Sequence, residues 1–248
     1  CDQKKSSSSG PLFELVDPQK SGVLFENKLF EYAEEHIFNF NYLYNGAGVG
    51  LGDINNDGLL DIYFTANRAK DKLYLNKGNF KFEDISESSG ISAFSGWRSG
   101  VAMADVNGDG LDDIFIGGAE SDFGKLFFQE DNGTLVRSQQ QAFAIANTTD
   151  QTDAVFFDAD KDGDNDLLIV YGGNEDRGAA ATLRPRLFLN DGKGNFLFVP
   201  QNLPVITTTA SCAKVADIDG DGDLDIFIGG RVLPGEYGLT PNSLLLVN

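Results

Sequence analysis

The chain has little of several residue types, and each shortage excludes a class of protein. Its 248 residues include two cysteines, Cys1 and Cys212, so no disulfide framework is predicted, and Cys212 is expected to be a small buried residue. The single histidine, His36, has no cysteine, serine or metal-ligand cluster of its own beside it, which disfavours histidine-based catalysis. The sequence therefore predicts no catalytic residues and a protein that is not an enzyme.

Positive charge and long apolar runs are also scarce. The chain has 19 basic against 38 acidic residues and a net charge of -19, which argues against nucleic acid as a partner. No apolar run approaches the ~18 residues that a membrane-spanning helix needs. The length is sufficient for a substantial core, and we expect one domain built from repeats.

Four acidic loops form the strongest pattern in the sequence. They begin at Asp53, Asp105, Asp158 and Asp217, and each has carboxylate or carboxamide side chains at positions 1, 3, 5 and 9 with Gly at position 6. Oxygen ligands at this spacing suit a hard cation, because the glycine allows the sharp turn that brings them to one point. The loops predict Ca²⁺, up to four ions, with the backbone carbonyl at position 7 as a further ligand.

The predicted metal ligands are the residues at positions 1, 3, 5, 7 and 9 of each loop. Position 12, where a helix-loop-helix calcium site places a bidentate Glu, is apolar in every loop, so that type of site is excluded. The fourteen carboxylates at positions 1, 3, 5 and 9 explain much of the acidity, and four bound Ca²⁺ would change the net charge from -19 to -11. The ligands are Asp53, Asn55, Asp57, Leu59 and Asp61; Asp105, Asn107, Asp109, Leu111 and Asp113; Asp158, Asp160, Asp162, Asp164 and Asp166; and Asp217, Asp219, Asp221, Asp223 and Asp225.

The loops recur at steps of 52, 53 and 59 residues, which is typical of a solenoid or a propeller. Each period contains short strand-like segments: one enters the loop, an apolar one leaves it, and a third and a fourth follow, as in 72–76 and 80–85. We predict an all-β fold of four-stranded antiparallel blades. The four repeats are expected near residues 46–91, 97–140, 150–200 and 209–248.

The N-terminal region carries two further predictions. Residues 1–10 are a polar, flexible tether behind Cys1, which is typical of a lipid-anchored bacterial protein; the alternative is a chain that starts at cysteine for no functional reason. Any attachment to a membrane would then be through that lipid alone. Residues 12–16 predict a strand similar to 80–85, the outer strand of a blade whose other strands come from elsewhere, and the aromatic-rich residues 24–46 predict a packed insertion.

The fourth repeat ends where the hairpin into its outer strand should begin, so the propeller over residues 11–248 can be completed in two ways. The N-terminal strand could close a ring of four blades, or the chain could be the front part of a longer protein with more blades. The second alternative is favoured, because an end inside a hairpin turn would be unusual.

The glycine-rich approach to each loop, followed by Asp-x-Asn/Asp-x-Asp-Gly-x-x-Asp, resembles the FG-GAP/VCBS repeat of integrin α-chain propellers. Residues 48–53 and 100–105 carry this likeness most clearly, and it covers about residues 46–248. Segments 61–67 and 230–235 are also similar to VCBS-repeat surface lipoproteins of Bacteroidetes-type bacteria. The resemblance implies a β-propeller, often seven-bladed, with Ca²⁺ between the first two strands of a blade and a role in adhesion or ligand binding.

Recognition is expected where the period is broken, because function in repeat folds is carried by such loops. Exposed Trp, Tyr and Arg are typical interface residues, although Trp97 could equally pack between blades. The expected function is a lipid-anchored protein at the surface of a bacterial outer membrane that binds a protein partner there. A glycan-binding propeller and an accessory domain of a larger enzyme are the alternatives. The predicted partner-binding residues are Trp97, Arg98, Arg177, Arg231 and Tyr237.

Overall fold

The structure is a computed structural model, and it is all-β apart from three short helical turns in the part that it describes. No helix in the described part has the length and apolarity needed to cross a membrane. The helical turns are α1 (Pro18–Ser21) and two 3-10 turns, Ile91–Ala93 and Pro200–Asn202. The described residues are 11–33, 36–38, 43–44, 46–93, 95–119, 123–140, 142–143, 150–173, 183–233, 236 and 238–248.

Sixteen strands make up four antiparallel sheets in the described residues, one for each predicted repeat. Blade 1 consists of β1 (Val49–Gly52), β2 (Asp61–Phe64), β4 (Lys72–Asn76) and β5 (Phe82–Asp84). Blade 2 consists of β6 (Ser95–Ala104), β7 (Asp113–Gly118), β8 (Lys125–Gln129) and β9 (Leu135–Arg137), and β3 (Asn67–Lys70) pairs with the start of β6. Blade 3 consists of β10 (Asp150–Phe157), β11 (Asp166–Gly172), β12 (Arg186–Leu189) and β13 (Leu197–Phe198). Blade 4 consists of β14 (Ala210–Ala216), β15 (Asp225–Gly230) and β16 (Leu244–Leu246).

Each blade is a meander in which the first strand enters an acidic loop and the second leaves it. The order β1-β2-β4-β5 in blade 1 returns as β6-β7-β8-β9 and β10-β11-β12-β13, so neighbours in sequence are neighbours in the sheet. The blade architecture predicted from the periodic sequence is therefore confirmed. The short strand β3 was missed, because residues 67–70 lack the apolar alternation that marks a strand.

The two faces of every blade have separate roles, because successive side chains of a strand point to opposite faces. On the second strand, the residue after the loop's last Asp packs toward the preceding blade: Ile114 of blade 2 joins the core between blades 1 and 2. The following residue, Phe115, packs toward blade 3. Three such cores fill the spaces between consecutive blades. The second strands of blades 2 and 3 are buried along their whole length for this reason.

Glycines let the first strands of blades 1 and 2 approach the next blade closely. A Cβ atom on Gly48 would overlap the Ser99 carbonyl oxygen, and one on Gly100 would lie 2.9 Å from the Cα atom of Asp153. The glycines in the approaches to the first two loops thus serve the packing of first strands against each other, and the metal loop itself does not require them.

The N-terminal region differs from its prediction. Residues 11–17 are all described and form no strand, and Leu12, Phe13 and Leu15 are 88, 89 and 93% exposed. The predicted packing of residues 24–46 holds for some of its aromatic residues, since Phe25 stacks on Phe64 with ring centroids 4.7 Å apart, whereas Phe38 is exposed. A strand needs a pairing edge, and the described part of the structure offers none to residues 11–17.

Candidate functional site

The acidic loops share one backbone conformation, which the residues at positions 4 and 6 set. Position 6 is always glycine with a positive φ, from 83° at Gly58 to 94° at Gly163. Position 4 is also left-handed, at Asn56, Gly108, Lys161 and Gly220. Sequence reasoning identified the first requirement and missed the second, because lysine is unusual in this conformation.

Hydrogen bonds to backbone N–H groups hold the carboxylates at positions 1 and 5 in each loop. Gly58 N donates to Asp53 Oδ2 at 2.8 Å, and Leu59 N donates to Asp57 Oδ1 at 2.9 Å. The equivalent bonds are present in the other three loops. These backbone N–H groups therefore set the orientation of the carboxylates at positions 1 and 5.

The aspartate at position 9 ties its loop to the third strand of its own blade. Asp113 accepts from Val106 N at 3.2 Å with one oxygen and from Gln129 N at 2.9 Å with the other. Asp61, Asp166 and Asp225 make the same pair of bonds, and all four are at most 1% exposed. Position 9 thus has a structural function that the sequence pattern, read as a metal shell, did not reveal.

Burial raises the pKa of loop aspartates at positions 9 and 7. Desolvation raises the pKa of Asp113 to about 7, although the two backbone N–H donors oppose the shift. Desolvation, with repulsion from the neighbouring carboxylates of its loop, raises the pKa of Asp164 to about 6. Burial and neighbouring carboxylates raise the pKa of both groups, and a bound cation would oppose both effects.

The third and fourth loops fit a divalent cation by the chemistry and placement of their side chains. Carboxylate oxygens of Asp158, Asp160 and Asp166 lie within 4.8 Å of one another, and Asp217, Asp219 and Asp225 form the same cluster. The Oδ1 atoms of Asp158 and Asp164 are buried without a hydrogen-bond partner. Buried, unpaired carboxylate oxygens are costly unless a cation contacts them.

In the first and second loops, side chains of the loop itself supply more of the hydrogen bonds that its carboxylates need. Asn55 Nδ2 donates to Asp57 Oδ2 at 2.9 Å, and Asn107 Nδ2 donates to Asp109 Oδ2 at 2.9 Å. The carboxamide oxygens still suit a hard cation, so the residues present also fit Ca²⁺ there.

Side chains join each loop to the loop of the next blade. Asp112 Oδ2 accepts from Asp53 N at 3.0 Å, and Asn165 Nδ2 donates to the Asp105 carbonyl at 3.0 Å. Lys161 of the third loop forms an ion pair with Asp223 of the fourth. The four loops therefore form one continuous acidic end of the molecule.

An amide at the end of the third strand of blades 2, 3 and 4 crosses to the preceding blade, where it donates to the carbonyl at position 2 of the loop. Gln129 Nε2 donates to the Ile54 carbonyl. Asn190 Nδ2 donates to the Val106 carbonyl at 2.8 Å, and Asn248 Nδ2 donates to the Ala159 carbonyl at 2.9 Å. We call this contact the amide clamp. It fixes the spacing between consecutive loops.

A polar cleft of about 310 Å³ lies at the end opposite the acidic loops. It is lined by the first strands of all four blades, at Val49, Ser99, Thr152 and Ser211, and by Arg231 after the second strand of blade 4. Hydroxyl groups link these strands, since Ser99 Oγ donates to the Gln151 carbonyl and Thr152 Oγ1 to the Ala210 carbonyl, both at 2.8 Å. These hydrogen bonds between neighbouring blades fix the positions of the strands that form the walls of the cleft.

The predicted partner-binding residues have different locations. Trp97 is 7% exposed and packs with Leu43 and Ala119, which is the packing alternative that the sequence left open. Arg98 is 1% exposed and forms an ion pair with the buried Asp71, so both residues support the junction of blades 1 and 2.

Arg231 is partly exposed and lines the cleft, and Cys212 is half-buried on β14 where full burial was expected. Cys1, Arg177 and Tyr237 lie outside the described residues.

Comparison with known proteins agrees with this geometry. A family model described as "FG-GAP-like repeat" matches residues 53–116, 105–169 and 169–228. Each match runs from the acidic loop or second strand of one blade to the second strand of the next blade. Cartilage acidic protein 1 of Xenopus tropicalis is 28% identical over 215 residues, which cover 82% of this chain and 32% of that protein. The mouse (Mus musculus) protein is 27% identical over 212 residues, with the same coverage. Integrin alpha-V of Gallus gallus is 28% identical over 180 residues, 65% of this chain and 17% of that protein.

The fold and the repeated loops define a β-propeller protein, and the family matches cover most of the chain. The chain belongs to the FG-GAP-like repeat family. It spans about a third of the length of the cartilage acidic proteins that it matches.

Proposed function

We propose that this chain is a calcium-braced, non-enzymatic propeller that binds another protein at a cell surface. The observation that carries the proposal is the separation of two ends: acidic loops committed to backbone contacts at one end, and a polar cleft among the first strands at the other. The names of the relatives, which include an integrin chain, support a role in interaction.

Calcium has a bracing role in this proposal. The residues that would hold Ca²⁺ are those at positions 1, 3, 5, 7 and 9 of each loop, and the ion would neutralise carboxylates that otherwise repel each other. Blade-forming strands enter and leave every loop, so a bound ion would stabilise the strand pair.

Calcium titration by isothermal calorimetry, after EGTA treatment, tests this role. We expect up to four binding events, with weaker affinity in the third and fourth loops after Asp160→Asn with Asp219→Asn. Asp131→Asn, an exposed acidic residue in the β8–β9 turn, is the matched control. Absence of heat and of any rise in Tm at millimolar Ca²⁺ would contradict the role.

The polar cleft is our proposed recognition site. Its walls are braced by hydrogen bonds between blades, so a partner would meet a preorganised surface. Val49 is 59% exposed and lines the cleft, and Ser211 on β14 lines it from blade 4. Substitutions at these two residues can block the cleft with little change to the core.

The test compares partners captured from the native cell envelope by wild type, by Val49→Glu and by Ser211→Trp. Val136→Glu on the outer strand β9, where Val136 is 49% exposed, is the control. We expect one stoichiometric protein partner that both cleft variants lose and the control keeps. Unchanged capture by folded cleft variants would refute the site. Binding to a glycan array that the cleft variants abolish would assign a carbohydrate ligand instead.

Location is a separate part of the proposal. We propose that the protein is lipid-anchored through Cys1 at the surface of a bacterial outer membrane, because the polar stretch 2–10 after this cysteine has the composition of a tether. Metabolic labelling with an alkyne fatty acid should modify the wild type and not Cys1→Ser. Labelling of both, or of neither, would contradict the lipid anchor.

A further inference from the structure

A second pocket, of about 210 Å³, lies on blade 3 and shares no lining residue with the polar cleft. It is formed by the segment that leads into β12, the end of β13 and residues 199–205 of the link to blade 4. Three of the seven prolines of the chain line it together with apolar side chains such as Phe198; they are Pro185, Pro200 and Pro204. Because proline fixes its own φ, these walls have few alternative conformations, and little entropy is lost when a ligand enters.

Two arginines make this pocket positive in a chain whose net charge is -19. Arg186 is 7% exposed, and its guanidinium carbon lies 4.7 Å from the ring centroid of Tyr171 and 5.8 Å from that of Phe198. Arg184 is partly exposed, and its Nε atom is buried without a hydrogen-bond acceptor in the described structure. No carboxylate is among the described residues that line the pocket. A buried N–H donor without an acceptor is unfavourable, so an anion bound here would be stabilised. We call this site the arginine pocket.

Blade 1 shows what these two positions bind when carboxylates are present. The register of β11 with β12 matches that of β2 with β4, so the two arginines occupy the positions of Lys70 and Lys72 in blade 1. Lys72 Nζ forms an ion pair with Asp84 of β5 at 2.6 Å. Lys70 Nζ forms one with Glu87, just after β5, at 3.4 Å. In blade 1 both cations are therefore paired within the blade.

Blade 3 has no carboxylate at the equivalent positions. The register of β12 with β13 matches that of β4 with β5, so Phe198 takes the place of Asp84. Three residues further on, Gln201 takes the place of Glu87. Blade 3 thus keeps the two cationic side chains, replaces the acidic ones by an aromatic wall and an amide, and leaves a pocket beside them.

We infer that the arginine pocket binds an acidic segment of another protein, through a carboxylate and an apolar side chain next to it. The guanidinium group presents its N–H donors in a fork that matches a carboxylate, and the apolar walls suit an aliphatic or aromatic neighbour. The pocket is smaller than the roughly 300 to 1,000 Å³ of small-molecule sites, so it fits one or two side chains of a partner. The inference rests on the proposed function only in taking a protein as the partner, since the site is separate from the cleft.

An array of immobilised hexapeptides tests the inference. Each peptide contains one Asp or Glu next to one Leu, Phe or Tyr, and a matched array has Asn or Gln in place of the acid. We expect the 248-residue chain to bind a subset of the acidic peptides at least tenfold more tightly than their amide counterparts. Equal binding to the two arrays, or no binding to the acidic one, would overturn the inference.

Two substitutions assign the binding to the arginine pocket. Arg184→Gln removes a cation, and Gln201→Glu, at an exposed position, supplies the acid that blade 1 has, so each should weaken peptide binding at least fivefold. Lys193→Gln and Asn132→Asp make the same charge changes at exposed positions in the β12–β13 and β8–β9 turns, and both should bind like the wild type. Peptide binding that neither pocket variant weakens would refute the site.

Two further comparisons exclude other sites and other ligands. Val49→Glu and Ser211→Trp should leave peptide binding unchanged, whereas binding lost in these variants and kept in Arg184→Gln would place the peptides in the cleft and contradict the inference. Hexanoate that binds as tightly as the best peptide, and only when Arg184 is present, would assign a small carboxylic acid in place of a protein segment. Failure of the peptides to bind would not change partner capture at the cleft, so this inference and the proposed function can fail separately.

Discussion

The acidic loops of blades 1 and 2 and those of blades 3 and 4 have the same backbone and different electrostatics. At positions 1, 3, 5, 7 and 9 the first two loops have three carboxylates each, and the last two have five each. The amide donors of Asn55 and Asn107 compensate carboxylates in the first pair of loops. In the second pair Asp160 and Asp219 occupy those positions, and buried oxygens of Asp158 and Asp164 have no donor.

The comparison shows that the turn and the charge are set by different positions. Positions 4 and 6 determine the turn through left-handed backbone, and position 9 through a carboxylate that accepts from two backbone N–H groups; these features are common to all loops. Positions 3 and 7 set how many charges the loop contains. Loops 1 and 2 can therefore keep their shape without an ion better than loops 3 and 4.

Removal of calcium should produce the largest difference in stability between loops 1 and 2 on one side and loops 3 and 4 on the other. Each site occupied at a hundredfold excess over its Kd adds about 2.7 kcal/mol to the free energy of unfolding, so EGTA should lower the Tm substantially. Hydrogen exchange should then speed up more in β10–β11 and β14–β15 than in β1–β2 and β6–β7. Equal acceleration in all four hairpins would contradict the proposed difference, and EGTA saturated with Ca²⁺ is the control.

Loss of the position 9 aspartate should be costly in every loop, with or without metal. Asp113→Ala leaves two buried N–H groups without an acceptor. Each of them should lower the free energy of unfolding by about 1 to 3 kcal/mol. Asp166→Ala should cost a similar amount, and the Asn variants about half, because Asn keeps one acceptor. Urea unfolding in EGTA measures this. A cost for Asp166→Ala that appears only when Ca²⁺ is present would show that its role is ligation alone.

The metal-free protein should become less stable as the pH rises from about 4 to about 7. A carboxyl whose pKa is higher in the folded state than its unfolded value near 3.9 binds its proton more tightly when folded. Its stabilisation is complete below that value and is lost as the pH passes the folded pKa, about 7 for Asp113 and about 6 for Asp164.

Urea midpoints in EGTA between pH 4.5 and 8 measure the effect. Asp164→Leu, which places the residue of the first two loops at position 7, should remove the component that ends near pH 6 and leave the one that ends near pH 7. Midpoints that rise across this range would show that the pKa values are not raised.

Exchanging the position 3 residues should produce the smallest change. Asn55→Asp removes the donor to Asp57 and adds a charge, so it should raise the calcium affinity of loop 1 about tenfold and lower metal-free stability by about 1 kcal/mol. Asp160→Asn should do the reverse in loop 3. Calorimetry and EGTA melting curves check both, and affinities that move in the same direction would refute the role assigned to position 3.

The periodic part of the fold was predictable from sequence because its signals are local. The loop spacing and the apolar runs after Asp61, Asp113, Asp166 and Asp225 predicted the second strands, which begin at those residues. The outer strands β9 and β13 have only 3 and 2 residues, so their limits were less clear. The strand expected at 12–16 does not form in the described structure, because pairing depends on an edge that sequence alone cannot supply.

The sequence predicted which residues form the acidic loops. It did not predict all the contacts that those residues make. The pattern found the loop residues, but two roles depend on contacts between distant parts of the chain. Asp113 accepts from Gln129, and Gln129 in turn donates to Ile54, 75 residues away. The burial of Trp97 and Arg98 likewise follows from the junction of two blades, and no local pattern distinguishes it from exposure.

The amide clamp gives the molecule a polarity along its chain. The loops of blades 1, 2 and 3 are each held by an amide of the blade that follows, so Asn248 supports the loop of blade 3, Asn190 that of blade 2 and Gln129 that of blade 1. Shortening the protein from its C-terminal side would weaken the ion site of the last remaining blade. Shortening it from the N-terminal side would leave the clamps on the remaining loops in place. Proteolytic damage would thus have unequal consequences at the two sides, and, if the loops bind Ca²⁺ as proposed, the calcium content of one blade would report on the integrity of the blade that follows it.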